Sequence, residues 1–320
     1  MIIGHTTAAL IAATMLKDQA YFSTQATHTP PRKPFVLSQR AFQQLKRSIP
    51  SLTGLPLHTL ELSSYQQWGT MNTKSEQPLG YSIDSITLHD QLTQHSQPTL
   101  IELETLLEKI HATKEKIVFA DGSQSLAHTL GKWHQEQTEP SYSYLTHCTL
   151  HHACLKAMQR YTPWGIFAWI PQSETSGACI ITTSKPKDEW VDQIQQVWHR
   201  RLHIKTLCKT TQYHIQPSWR YNQSQSQYFL LGTSGLSTSP ILARGLNTVI
   251  AQCHALKNNN TMQYHKLAQE TFDFTKHLYK LSQISLLRGL SLHLMQNHWT
   301  QKQLIDWGQQ TSVFEDHLCG

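Results

Sequence analysis

The sequence predicts an α/β chain that carries an inserted β-sheet domain, and three observations predict it. Met1–Ile3 is an apolar run that turns at Gly4 into an alanine-rich stretch, a strand–turn–helix pattern. Tyr228–Asn247, reading YFLLGTSGLSTSPILARGLN, repeats that order: an apolar run into Gly232, a small-residue loop with Pro240, then Gly245-Leu246-Asn247 opening a helical run. From Tyr142 to about Trp219 the pattern changes to short alternating segments, with Pro171, Gly177 and Pro186 at the breaks. The outer parts read as one Rossmann-like unit and the middle as its β-rich insert.

Between Gln25 and Pro34 the prolines mark a loop, and Phe35–Ile49 reads as an amphipathic helix with Phe35, Phe42, Leu45 and Ile49 near one face and Pro50 after it. Leu57–Trp68 alternates as a strand. Leu79–Ile83 leads into a helix to about Gln97. Leu100–His111 gives strand-then-helix signals, and Lys116–Ala120 (KIVFA) is a strand meeting Asp121-Gly122. The insert holds strands near Tyr144–Leu150, Ala153–Arg160, Gly165–Ile170 and Ala178–Thr183, then a helix near 187–202. A long helix runs from Tyr264 to Leu294, where Leu267, Phe274, Leu278, Leu281, Leu287, Leu290 and Leu294 recur at helical spacing.

A chain of 320 residues buries a sizeable core in one or two domains. Its net charge of +6 comes without a Lys/Arg block, which points away from nucleic acid and allows contact with an anionic membrane surface. Six scattered cysteines in so long a chain are not a disulfide framework and suit a reducing cytosol. The first residues lack a basic segment and carry His5 inside the apolar run, so they do not read as a signal peptide. No apolar run is long enough to span a membrane.

A dinucleotide-binding fingerprint would sit at the first strand–turn–helix, with glycines for the turn, the phosphate approach and the helix packing. In that register stand Gly4, Thr6 and Ala9. Thr6 puts a side chain where phosphate would approach, and no acid follows in residues 20–29 to hold a ribose. Both predicted helix starts still offer N–H groups to an anion. The cluster His147, Cys148, His151, His152, Cys154 falls on both faces of a strand, which argues against one zinc site. Gly232-Thr233-Ser234-Gly235 is not a nucleophile elbow. No catalytic side chain and no metal ligand is assigned.

Tyr228–Asn247 resembles the second flavin-contacting motif of flavin-dependent aromatic hydroxylases, where the strand ends Gly-Asp and the loop passes a proline to Gly-Leu-Asn; Thr233 stands at the aspartate. Ala120-Asp121-Gly122 with Ser125 resembles the family's Ala-Asp-Gly-Ala-Asn-Ser. Gln159, Arg160, Gly165, Ala168 and Pro171 match its substrate-domain segment. Weaker echoes are Pro34–Ser38, Leu79–Tyr81 and Arg288-Gly289-Leu290. Lys33 stands where the family has an arginine near the flavin ring, Leu236 replaces a histidine, and Ala243-Arg244-Gly245 replaces Gly-Gln-Gly. The ordered set covers nearly the whole chain and is similar to the ubiquinone-biosynthesis hydroxylases of the 2-octaprenyl-6-methoxyphenol hydroxylase type.

The resemblance implies a Rossmann-like FAD-type domain from residues 1–50, 76–135 and 222–320, and a β-sheet substrate domain from 51–75 and 136–221. It implies cofactor contacts at Gly4, Lys33, Asp121, Gly122, Gly232, Thr233, Pro240, Gly245, Leu246 and Asn247, with FAD as cofactor and NAD(P)H as reductant. The substrate would be a polyprenylated phenol. The partners would be other ubiquinone-biosynthesis proteins, and the place the cytoplasm, with a peripheral position on the inner membrane left open. Two readings stay open. One is an FAD-dependent monooxygenase; the other is a non-catalytic relative serving as an accessory or lipid-intermediate-binding subunit. Losing the acid at Thr233 removes a charge-assisted hydrogen bond of about 1.5–3 kcal/mol, or about one to two decades of affinity.

Overall fold

In the computed structural model Ile2–Ile3 (β1) leads through Gly4 into Thr7–Met15 (α1), and Tyr21–Ser23 (β2) follows. Pro34–Ser38 (β3) runs into Gln39–Ser48 (α2), then Leu55–Leu57 (β4), Thr59–Ser64 (β5) and Trp68–Asn72 (β6). Gly80–Asp84 (β7) precedes Ser85–His95 (α3), and Thr99–Leu100 (β8) precedes Leu103–Ala112 (α4). Ile117–Phe119 (β9) and a short helix, Ala127–Leu130 (α5), come next. The insert follows as His134–Gln137 (β10), Ser141–Leu150 (β11), Ala157–Thr162 (β12), Gly165–Pro171 (β13), Ser176–Thr183 (β14), Val191–Trp198 (α6), Ile204–Leu207 (β15), Thr211–Ile215 (β16) and Ser218–Tyr221 (β17). The chain then forms Tyr228–Leu230 (β18), a 3₁₀ turn at Gly232–Ser234, Leu236–Ser237 (β19), Arg244–Lys257 (α7) and Thr261–Gln283 (α8). The structure describes residues 1–283 except 18, 27–28, 65–67, 73–76, 132, 187–189, 199–200, 222–226 and 241–242.

The five-stranded sheet β18-β9-β1-β2-β8 is parallel throughout, with β1 at its centre. Parallel strands are covered on both faces, so they read as short apolar runs. Helix α1 has Ala8 to Met15 buried, because it is packed between the sheet, α3 and α7. Its alanines allow that close approach.

Phe35–Ile49 is not a single helix. Its first part is β3, which pairs antiparallel with β7 from Pro34↔Asp84 to Ser38↔Gly80. Ser38 ends the strand and caps α2, its Oγ accepting from Ala41 N at 3.2 Å. Phe35 happens to continue the stripe of Phe42, Leu45 and Ile49, which hides the boundary from periodicity.

The eight-stranded sheet runs β15-β11-β14-β13-β12-β5-β6, with β16 also paired to β11. One in-register row crosses it as Thr146, Cys179, Trp169, Met158 and Glu61, on the face covered by Ile194, Val197 and Trp198 of α6. The next row, Leu145, Ile180, Ala168, Gln159 and Leu62, lies on the opposite face. β12 begins at Ala157 rather than near Ala153, since residues 151–156 form an exposed loop. β10, β17 and β19 make a separate antiparallel sheet. Helix α8 is described to Gln283; Leu287, Leu290, Leu294 and Arg288-Gly289-Leu290 lie outside the described residues. Among the described residues no helix is long and apolar enough to cross a membrane.

Candidate functional site

The loops after β1, β9 and β18 meet at the carboxyl ends of the parallel strands, where ligands bind in open α/β sheets. Gly4 has φ +147°, and a Cβ on it would lie 2.5 Å from the carbonyl carbon and oxygen of Ala120. Gly232 has φ +60°, and its Cβ would lie 2.9 Å from that of Ala8. Both glycines are therefore required by protein packing: one lets β1 turn against the end of β9, the other lets the β18 loop lie on α1.

Thr6 is the N-cap of α1. Its Oγ1 accepts from Ala9 N at 3.4 Å and donates to Ala120 O at 2.6 Å. Its methyl group would be 3.8 Å from a Cβ at Gly122. The threonine thus fills the gap between the helix start and the β9 loop and satisfies one helix donor itself.

Asp121 is engaged on both oxygens. Oδ2 accepts from Leu126 N at 2.7 Å and Oδ1 accepts from Ser234 Oγ at 3.2 Å. Ser234 Oγ also accepts from Gly122 N at 3.0 Å, and its carbonyl accepts from His128 Nε2 at 2.8 Å. Ser234 is fully buried and pins the β18 loop to the β9 loop. The sequence singled out Asp121, Gly122 and Gly232 here but missed Ser234 and His128; their only signal is a partner more than a hundred residues away.

Thr233 is exposed and Pro240 half-buried. Ala243 precedes α7 in the left-handed conformation, φ 51°. Gly245 is exposed, and Leu246 packs on the main core. Asn247 ties α7 to β3: Oδ1 accepts from Ser38 N at 2.8 Å, and Nδ2 donates to Val36 O at 3.0 Å and Ala243 O at 2.8 Å. Lys33 lies just before that strand. It is half-buried, its Nζ sits 5.3 Å from the Phe35 ring centre, and burial pushes its pKa down. The neighbouring Asp84 carboxylate is taken by Arg32 Nε at 2.9 Å and Gln172 Nε2 at 3.0 Å. So Gly4, Asp121, Gly122 and Gly232 come together, Asn247 and Lys33 both adjoin β3, and Thr233 and Gly245 face outward.

These groups do not fit FAD held in the fingerprint manner. Thr6 takes one donor of the first turn of α1, Ala9 N, and sets its methyl group between the helix start and Gly122. Ser23 ends β2 without an acid, its Oγ donating to Gln25 O at 2.6 Å. No carboxylate stands at Thr233.

The face of the eight-stranded sheet turned away from α6 offers a second candidate surface. It is anchored at one end by His147, whose Nε2 is 3.1 Å from Arg32 O and whose Nδ1 is 3.2 Å from Gln172 Oε1. At the other end Tyr161 and Ile166 pack on Phe274 and Leu278 of α8. Between those anchors Ala168 and Ile180 stay half-exposed, beside buried Leu145 and Gln159. Gln159 Nε2 donates to Tyr161 Oη at 2.6 Å. The result is an apolar wall with one polar pair.

No protein-family model matches the chain, and no curated protein matches it. Solved structures do. The Diels-Alderase PyrE3 of the pyrroindomycin pathway aligns over 96% of this chain and 79% of its own, with TM-score 0.66 and 12% identity. The tetrameric form of 2-methyl-3-hydroxypyridine-5-carboxylic acid oxygenase aligns over 93% and 92%, with TM-score 0.62 and 12% identity. p-Nitrophenol 4-monooxygenase PnpA from Pseudomonas putida DLL-E4 aligns over 98% and 93%, with TM-score 0.60 and 10% identity. The chain has the fold of the flavin-dependent aromatic monooxygenases, an α/β domain with an inserted β-sheet domain. Since a Diels-Alderase shares it, the fold does not fix the reaction.

Proposed function

We propose that the chain is a relative of the ubiquinone-biosynthesis flavin hydroxylases that no longer holds FAD tightly. In this reading it serves as an accessory subunit that receives a polyprenylated phenol. The observation that carries this reading is Thr6, whose hydroxyl caps α1 and bonds Ala120 O where a cofactor phosphate would need open N–H groups. The half-exposed row of Ala168 and Ile180, flanked by the Gln159–Tyr161 pair, suits a phenol ring with an apolar tail. Its partners are other proteins of that pathway, and its place is the cytoplasm, peripheral to the inner membrane.

A second reading, an FAD-dependent monooxygenase using NAD(P)H, is favoured by one observation. Gly4, Gly122 and Gly232 keep positive φ at the three loops, the backbone shape that a bound dinucleotide would follow. The visible spectrum of the purified protein, followed by titration with FAD, separates the two. A colourless, folded protein that ignores millimolar FAD is expected. Yellow protein or micromolar binding would overturn the accessory reading and establish a cofactor site despite Thr6 and Thr233.

A further inference from the structure

The covered face of the eight-stranded sheet holds two cysteines that the site above does not use. Cys148 on β11 and Cys179 on β14 are diagonal neighbours, since Cys148 pairs with Gly177 and Thr146 with Cys179. Their sulfurs share a hydrogen bond at 3.6 Å. Both are free thiols, and both are almost wholly buried among Met158, Trp169 and Trp198. The half-buried Cys154 packs against the same core, as do Tyr142, Trp164, Ile204 and Leu207.

We propose that Cys148 and Cys179 form a reversible dithiol–disulfide site, oxidised by hydroperoxides, within the core that seats α6. A disulfide needs its sulfurs about 2.05 Å apart and its Cβ atoms about 3.8 Å apart. The sulfurs already stand 3.6 Å apart; closing the bond takes side-chain rotation together with an approach of the two diagonal strand positions. The chemistry is also arranged. The shared proton lowers the pKa of Cys148 and holds that of Cys179 well up, so Cys148 is the nucleophile. Its thiolate attacks the peroxide oxygen and becomes a sulfenic acid, releasing hydroxide. Cys179 sulfur then attacks the sulfenic sulfur, the S–S bond forms, and water leaves. In total two thiols and one hydrogen peroxide give one disulfide and two waters. The bond would join the adjacent strands β11 and β14 and move Cys179 beside Trp198 of α6.

The test is peptide mapping of the full chain after brief treatment with millimolar hydrogen peroxide, alkylation and denaturation. A Cys148–Cys179 cross-linked peptide, two mass units below the sum of the reduced peptides and removed by dithiothreitol, is expected. The thermal midpoint should rise by about 5 °C on oxidation and return on reduction. C148S and C179S should each abolish both changes, while C208S, at an exposed thiol, should leave them intact. The idea is overturned if both thiols alkylate fully after peroxide while Cys208 oxidises, or if the cross-link joins Cys154 instead. The wild-type map decides even where a serine variant does not fold.

Discussion

Gly4 allows the packing explanation of the loop glycines to be tested without any cofactor. In G4A the new Cβ would sit 2.5 Å from Ala120 C and O and 2.8 Å from Asp121 N, all backbone atoms that cannot rotate away. Overpacking of this kind costs about 1–3 kcal/mol. Holding a non-glycine residue at φ +147° adds about 1–3 kcal/mol. Together they approach half of the total stability of an ordinary domain. G122A supplies the control: its φ is +101°, but the nearest atom to its Cβ is Thr6 Cγ2 at 3.8 Å, an ordinary contact. It should lose only the backbone part, about 1–3 kcal/mol. Urea unfolding of the FAD-free proteins reads both numbers. If G4A unfolds within about 0.5 kcal/mol of wild type, or no earlier than G122A, Gly4 is not there for packing and the case against a cofactor role weakens.

Other consequences concern the ties around the loops. N247A removes one acceptor and two donated bonds around β3 and the start of α7 and should lose about 2–4 kcal/mol in urea unfolding; N247D keeps the acceptor for Ser38 N but turns a carboxylate oxygen onto Val36 O and Ala243 O, and should lose at least as much. Tyr264 Oη bonds both N and O of Leu230, satisfying the open edge of β18; Y264F should cost about 1–3 kcal/mol and speed amide exchange at Leu230. His89 and His265 have pKa values lowered by burial from 6.5, so below pH 6.5 the unfolded chain takes up protons that the folded chain resists. Stability should therefore fall as pH drops through that window, and H89Q with H265Q should flatten the decline in pH-dependent melts.

Local signals carried the frame of this fold. The strands β1, β9 and β18 are each a short apolar run ending at a glycine or Asp-Gly, so the three ligand-end loops could be placed from neighbours in sequence. The site itself depends on distant pairs. Ser234 meets Asp121 and Gly122 across more than a hundred residues, and nothing around Ser234 marks it as buried. Thr6 was visible as an obstruction, but its bond to Ala120 O, which makes it part of the packing, was not. The start of α2 was misread because Phe35 fits the helical stripe of Phe42, Leu45 and Ile49, while the pairing that makes residues 34–38 strand comes from β7. The polar run His134–Gln137 is exposed throughout and forms strand only through β17, so no periodicity could reveal it.

The two departures in the cofactor loops make a prediction about coupling. An aspartate at 233 would supply the missing acceptor, worth about 1.5–3 kcal/mol. It can act only if the rest of a dinucleotide reaches the loops. With Thr6 in place the first turn of α1 is capped and the gap to Gly122 is filled, so T233D alone should not raise FAD affinity. T6G opens the helix start, where an anion gains about 0.3–2 kcal/mol. Glycine remains a tolerable N-cap, so stability should fall mainly by the lost bond to Ala120 O, about 1 kcal/mol. T6G should therefore bind FAD weakly, and the double variant about 10- to 100-fold more tightly than T6G. Flavin fluorescence titration of all four proteins gives the interaction energy directly. Equal gains from T233D in the wild-type and T6G backgrounds would mean that Thr6 does not block the site, and the accessory reading would lose its main support.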